Sequence, residues 1–304
     1  MNYFIRRLVQ VPLVAVLVAT ACFFLMRALP GSPFDRERVG APAAKAILDV
    51  KYHLDRPWPV QYLYWLGDIL HGDLGPSMKY RNHSVNDILA ESLPVSLALG
   101  WLAFMVSLGV GITVGAWAAM RPGSWGDWLA TFLVLAGVCV PSFIVGPLLV
   151  LVFALRLGWF PPALWGGFAN AVLPVTALGL YFAARVARLA REGIREVMGS
   201  EFIRAVRAKG LTEFQVLTRH ALRMGLLPVL SYCGPMLADL LTGSFVIETV
   251  FQIPGTGTFF INAFNNKDYT MIVGITLLYA SLLLGLNLLV DLAHAGLDPR
   301  VRHE

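Results

Sequence analysis

The sequence predicts an all-α polytopic membrane protein with six transmembrane helices and both termini cytoplasmic. Three observations carry this: the composition, six apolar segments of spanning length, and a lopsided distribution of Lys and Arg. Of 304 residues, 57% are hydrophobic and 14% charged, with a mean hydropathy of +0.66. Soluble domains hold about 45–50% apolar and about 25% charged residues. The net charge of +5 is explained by Lys and Arg of cytoplasmic loops, so nucleic acid is not expected as a partner.

The apolar segments run 8–29, 94–120, 129–155, 169–187, 226–249 and 270–294. Each reaches the roughly 20 residues a helix needs to cross a bilayer. The first follows Arg6 and Arg7 and is too long for a cleaved signal, so it reads as a retained span. Asn170, Pro174 and Thr176 interrupt the fourth, which membrane helices tolerate where neighbours satisfy the backbone. With the N-terminus inside, inner segments hold Arg6, Arg7, Arg121, nine basic residues from Arg185 to Arg223, Arg300 and Arg302. The short outer loops hold only Arg156 and Lys267. This excess sets the orientation.

The chain divides into a tail and first span over 1–29, an outer region over 30–93, a core of five spans over 94–294, and a tail over 295–304. In the outer region, Pro57-Trp58-Pro59 opens a stretch with Tyr62, Tyr64, Trp65, Leu66, Ile69 and Leu70. Such aromatic-rich segments suit the membrane–water interface. A short amphipathic helix ending near Gly72 and Gly75 is expected, either lying on the membrane or packed as a cap.

The inner loop, 188–225, contains EFIRAVRAKGLTEFQVLTRHALR from Glu201 to Arg223. Ser200 is a good N-cap and Glu201 suits the first turn. Gly210 fits the left-handed position that ends a helix, after Lys209. Thr212 and Gln215 match a capping box that starts a second helix. In the first helix Phe202, Ile203 and Val206 fall on one side, and Arg204, Arg207 and Lys209 largely elsewhere. So short a helix is unstable alone. It must dock, on the membrane surface or on another protein.

Chemistry-bearing motifs are few. Cys22, Cys139 and Cys233 lie in apolar runs without CxxC spacing, the six His show no ligand spacing, and Gly255-Thr256-Gly257 lacks the Lys-Ser/Thr of a phosphate loop. No metal or cofactor is expected on this chain. Asp239 stands inside the fifth span and is a pathway candidate because intramembrane charge is costly. Glu248 and Thr249 precede the turn Pro254-Gly255-x-Gly257, which fits a gate or an ordinary tight loop. Ser96, Ser107, Thr113, Ser142, Asn287, Gly109, Gly111 and Gly115 read as helix-packing residues.

Phe202-Ile203-Arg204-Ala205-x-Arg207-Ala208-Lys209-Gly210-Leu211 and Arg219-His220-Ala221-Leu222 resemble the inner loop of bacterial ABC importer permease subunits of the peptide/nickel branch. Glu248-Thr249-Val250-Phe251, Pro254-Gly255-x-Gly257, Asp268-Tyr269 and Leu297-Asp298-Pro299-Arg300 are similar to the same family. Pro30-Gly31-Ser32-Pro33-Phe34, Lys51-Tyr52-His53-Leu54, His71 to Ser77 and Ser84-Val85-Asn86-Asp87 look closest to its oligopeptide B-type subunits. The wider importer family prefers Glu-Ala-Ala where Arg204-Ala205-Val206 stands, and proline where Arg223 stands.

The resemblance implies a type I ABC importer permease fold in the bacterial inner (plasma) membrane. It implies a second homologous permease subunit, two cytoplasmic ATPase subunits carrying ATP and Mg, an outer peptide-binding protein, and an oligopeptide substrate beside membrane lipid. The chain itself would be non-catalytic. Glu201, Phe202, Ile203, Arg204, Ala205, Arg207, Ala208, Lys209 and Gly210 would contact the ATPase. Dipeptide, glutathione or nickel-chelate uptake are rivals within the family. An ion-coupled secondary transporter would need a charge relay, for which only Asp239 and Asp291 are at hand. An intramembrane enzyme lacks a pairing, since Ser142 and His220 fall in different layers.

Overall fold

A computed structural model describes residues 3–28, 56–80, 82–242 and 244–297. The motifs at Pro30–Phe34, Lys51–Leu54 and Asp298–Arg300, and the side chains of Ser142 and Asp291, lie outside the described residues. The described residues are helical, apart from loops and an isolated bridge between Pro76 and Ser84. They fall into two compact units, residues 1–95 with 255–304, and residues 96–254.

The first unit contains α1 (Tyr3–Ala28), α2 (Trp58–Leu70), the start of α3 (Val85–Met120), and two C-terminal helices, here α12 (Thr256–Asn266) and α13 (Tyr269–Leu297). α1 packs along α13. The amphipathic α2 ends at His71 and Gly72, with Gly72 at φ +82° and its N–H donating to Ile69 O at 2.9 Å. Its inner face meets α1: Thr20 and Tyr62 share a 2.7 Å hydrogen bond, and the Phe23 ring stands 5.3 Å from both Tyr62 and Trp65. Trp58, Leu63, Tyr64 and Leu70 are exposed. The packed-cap reading therefore holds for one face, and the other is left apolar.

Asp268 fastens the loop at 71–84 to α13. It accepts from Ser77 Oγ at 2.5 Å and from Met271 N at 3.1 Å, while Thr270 Oγ1 donates to Pro76 O at 2.7 Å. Asp268 is buried, and the bonds from Ser77 and Met271 replace water the carboxylate has lost. Ser84 and Asp87 cap α3 reciprocally, Ser84 N donating to Asp87 Oδ2 at 3.0 Å and Asp87 N to Ser84 Oγ at 3.1 Å. This cap starts α3 nine residues before the expected boundary at 94. At 36 residues it is about 54 Å long.

The second unit is organised on α6 (Phe168–Met198), against which several shorter helices pack. These are α4 (Trp125–Cys139), α5 (Ser142–Leu149), α9 (Leu222–Gly225), α10 (Leu227–Thr242) and α11 (Phe245–Val250). α3 reaches α6 through small residues. A Cβ on Gly111 would lie 2.6 Å from Val186 Cβ, and one on Gly115 would lie 2.5 Å from Ala187 O. Ser107 Oγ donates to Gly179 O at 2.9 Å. The packing reading thus holds for Ser107, Gly111 and Gly115; Gly109 has nothing within 4 Å.

Two expected spans are interrupted. The segment 129–155 bends at Val140–Pro141, because proline has no N–H and restrains the residue before it. It resumes as α5 and widens into a π-helical stretch, Val150–Arg156. The segment 226–249 separates into α10 and α11 around Ser244. Four described helical stretches are long and apolar enough to cross a membrane: Val85–Met120, Phe168–Met198, Leu227–Val250, which takes in both α10 and α11, and Tyr269–Leu289. Gln10–Leu25 and Phe143–Arg156 are shorter apolar helices where the first and third spans are expected.

Candidate functional site

Residues 188–225 fold as a finished elbow rather than an open loop. α6 carries the chain well past the expected end of its span at 187, so Arg188, Arg191 and Arg195 ride on helix. Gly199 then ends it, and Ser200 caps α7 (Glu201–Ala208), its Oγ accepting from Ile203 N at 3.4 Å. Ile203 and Val206 are buried. Phe202 departs from the expected apolar face: it is 49% exposed, with its ring edge-on to His220 at 5.9 Å. The 100° step between neighbours on a helix turns it outward from Ile203.

Lys209 caps the C-terminus and Gly210 takes φ +80°, its N–H donating to Arg207 O at 2.9 Å. No heavy atom stands within 4 Å of a Cβ at Gly210, so the demand for glycine there is conformational. Thr212 and Gln215 form the expected capping box, with Thr212 N donating to Gln215 Oε1 at 3.0 Å and Gln215 N to Thr212 Oγ1 at 3.4 Å. They start α8 (Glu213–Val216), which opens into a π-helical stretch, Leu217–Ala221, before α9.

Across the Gly210 turn, Arg207 grips Glu213 with two hydrogen bonds, Nε to Oε1 at 2.7 Å and Nη2 to Oε2 at 3.1 Å. The bond to Arg207 holds the Glu213 carboxyl below the usual carboxylate range and raises the guanidinium above its ordinary value. Arg207, expected to face a partner, is therefore engaged within the elbow. Arg204 pairs with Glu201 at 3.2 Å, both largely exposed. What the elbow presents outward is Glu201, Phe202, Arg204, Ala205, Ala208, Lys209, Gly210 and the 67%-exposed Phe214.

Two contacts fasten the elbow to the spans. Gly193 of α6 abuts Gly225: a Cβ on Gly193 would lie 2.2 Å from Gly225 O. Nearby, Arg191 Nε donates to Asp127 Oδ1 at 2.6 Å, Arg195 stands 3.9 Å from Oδ2, and Gly123 N donates to Oδ2 at 3.0 Å. The hydrogen bond from Arg191 outweighs burial and lowers the Asp127 pKa. Neither contact is signalled by sequence spacing, since Asp127 and Arg191 are 64 residues apart.

The expected pathway residues separate. Asp239 and Thr249 are exposed. Glu248 is fully buried, accepts from Ser244 Oγ, and its carbonyl receives Ile253 N at 2.8 Å. Pro254 is exposed, whereas Gly255 and Gly257 are buried at the start of α12, where Thr256 bonds Tyr279. The glycines begin a packed helix. No group of three His, Cys, Asp or Glu that could hold a metal occurs among the described residues.

The profile of the family "Binding-protein-dependent transport system inner membrane component" matches residues 111–303. The chain is 42% identical over 306 residues, covering all of both chains, to the oligopeptide transport system permease protein OppB of Escherichia coli (strain K12). It is 40% identical over 301 residues to the dipeptide transport system permease protein DppB of Bacillus subtilis (strain 168), covering 99% of this chain and 98% of that one. Among solved structures, an inward-facing MetNI methionine ABC transporter chain superposes with a TM-score of 0.59 at 17% identity, covering 69% of this chain and 96% of the other. A chain of an amino acid ABC transporter does so with a TM-score of 0.54 at 17% identity, covering 69% and 94%. The fold is thus that of ABC importer permeases, and this multi-pass membrane chain belongs to the binding-protein-dependent transport system inner membrane component family.

Proposed function

We propose that the chain is a transmembrane pathway subunit of an ATP-driven oligopeptide importer in the bacterial inner membrane. It crosses six times with both termini cytoplasmic, and residues 30–93 face outward. A second homologous permease subunit completes the pathway. Two ATPase subunits, holding ATP and Mg, grip the elbow, and an extracytoplasmic binding protein delivers the peptide. The full-length likeness to relatives named for oligopeptide transport supports the substrate class.

The carrying observation is the elbow itself. Caps at Ser200 and Thr212, the left-handed Gly210 and the Arg207–Glu213 grip make it a preformed body. Its buried side is apolar and its exposed side combines Phe202 and Phe214 with Arg204 and Lys209. Closure of the ATPases moves this body, and the Gly193–Gly225 contact passes the motion to α6. Asp239 lines the pathway. Thr249, Pro254, Gly255 and Gly257 belong to its gate, with buried Glu248 fixing the short helix that bears Thr249.

Reconstitution of the chain with its partner subunits tests this directly. ATP-dependent uptake of a peptide delivered by the binding protein is expected. Deleting residues 201–209 should release the ATPases and abolish uptake. Uptake that persisted in a stable complex after that deletion, or transport by this chain without ATPases, would overturn the reading. The likeness to a dipeptide permease supports dipeptides as a second substrate class, decided by what the binding protein retains.

A further inference from the structure

Four polar side chains stand in the apolar stretches of α6 and α10. Tyr181 and Arg185 are one turn apart on α6; Tyr232 and Asp239 are two turns apart on α10. The two helices pack against each other, and the Gly193–Gly225 contact fixes their relative height. Counting 1.5 Å per residue from that contact, Arg185 and Tyr232 lie about 12 and about 10 Å away, and Tyr181 and Asp239 about 18 and about 21 Å away. The helices therefore carry two polar rows at matching levels.

Arg185 Nη2 donates to Tyr181 Oη at 2.6 Å, and the guanidinium sits over the Tyr181 ring, 4.9 Å from its centroid. Tyr232 and Asp239 are the other groups acting on that guanidinium. The Tyr232 hydroxyl is buried, makes no close hydrogen bond among the described residues, and has the Arg185 guanidinium as the charged group acting on it most. Arg185 itself is exposed on the chain surface. A guanidinium offers five N–H donors in a planar fork, and the Tyr181 bond uses one. The cluster is rich in donors and holds one opposing charge at a distance. That is the complement of a two-oxygen anion.

We propose that Arg185, with Tyr181 and Tyr232, receives the C-terminal carboxylate of the peptide in transit. Asp239 is the counter-charge that moderates the hold so that the peptide can leave. The assignment rests on the pathway reading above. Every linear peptide with a free C-terminus carries this carboxylate whatever its side chains, so the group is common to the proposed substrate class. A lipid phosphate offers related anion chemistry and is separated by the test.

The assembled complex is placed in phosphatidylcholine vesicles, with and without added anionic lipid. The binding protein is loaded to equal occupancy with trialanine or its C-terminal amide. Loss of one charge-assisted pair corresponds to about a tenfold to hundredfold change. Arg185→Gln should lower uptake of the free acid by that amount and leave the amide within about twofold. Tyr232→Phe, which removes one oxygen, should shift the same preference about threefold, and decides the matter if Arg185→Gln does not assemble. Equal loss for both peptides, no loss for either, or an effect seen only with anionic lipid present would overturn the assignment. If wild-type complex moves neither peptide, the importer reading itself fails; if it moves both and the variants are indifferent, only the carboxylate site fails.

Discussion

α7 and α2 are built by the same local rules and end differently in use. Each is a short two-faced helix closed by a glycine at φ near +80°, whose N–H donates at 2.9 Å to the carbonyl three residues back. α2 sets Tyr62 and Trp65 against Phe23 and leaves Trp58, Leu63 and Leu70 uncovered. α7 buries Ile203 and Val206 and exposes Glu201, Arg204 and Lys209 around Phe202. An uncovered apolar face suits the membrane interface, where aromatic rings settle. A charged face with two aromatic projections suits a protein groove, where aromatics and arginine dominate the energetics. The backbone device is shared; the composition of the exposed face separates the two roles.

The contrast breaks most severely at Gly193. Gly193→Ala places a methyl 2.2 Å from Gly225 O, and backbone cannot yield as a side chain can. The overpacking should cost about 1–3 kcal/mol or more and lower ATP-dependent uptake roughly tenfold. Thermal unfolding in detergent and proteoliposome uptake check both parts.

Asp127→Asn comes next. It removes a charge-assisted bond from Arg191, and a loss of about 1.5–3 kcal/mol is expected, toward the lower end because Arg191 and Arg195 are partly solvated. The carboxylate is held below its ordinary pKa. Its stabilisation is therefore fully present above the unfolded value of about 4 and is lost as pH falls through the lower folded value. Wild-type unfolding temperatures should fall in that acid window, and those of Asp127→Asn should fall less.

Gly210→Val and Gly72→Val sharpen the comparison. Both positions have left-handed φ, +80° and +82°, so each should lose about 1–2 kcal/mol of local stability. Only the elbow variant should uncouple ATP hydrolysis from uptake; equal uncoupling would remove the distinction drawn here. The smallest effect belongs to Arg207→Ala with Glu213→Ala. A double-mutant cycle should give about 0.2–1 kcal/mol for this solvent-exposed pair. The depressed Glu213 pKa means that the pair's contribution persists at neutral pH and disappears only below the ordinary carboxylate range.

The parts of this arrangement that were legible beforehand are those encoded within a few residues. Ser200, Gly210 and the Thr212–Gln215 box could be read because caps act over three or four positions. The apolar segments could be read because spanning length needs no partner. Pairings across the fold could not. Asp127 and Arg191 are 64 residues apart and meet only because α4 packs on α6. Glu248 reads from the sequence as part of a gate or a tight loop; its burial against Ser244 on the short α11 depends on packing that spacing does not show. The bend before Pro141 sat within an unbroken apolar run, where hydropathy masks a break.

The π-helical stretch at Leu217–Ala221 has a consequence for length variation. A π-turn is in effect one residue inserted into an α-helix. Hydrogen bonding continues from Leu222 through Leu226 to Leu230, so the insertion sets the rotational phase of everything after it. Deleting one residue there would relax the turn to α-helix and rotate α10 by about 100°. Tyr232 and Asp239 would swing away from Arg185 with no change to any of the three. Five residues of the elbow thus act as the indexing notch for a polar cluster on the neighbouring helices, and an insertion or deletion there should disturb the proposed carboxylate site.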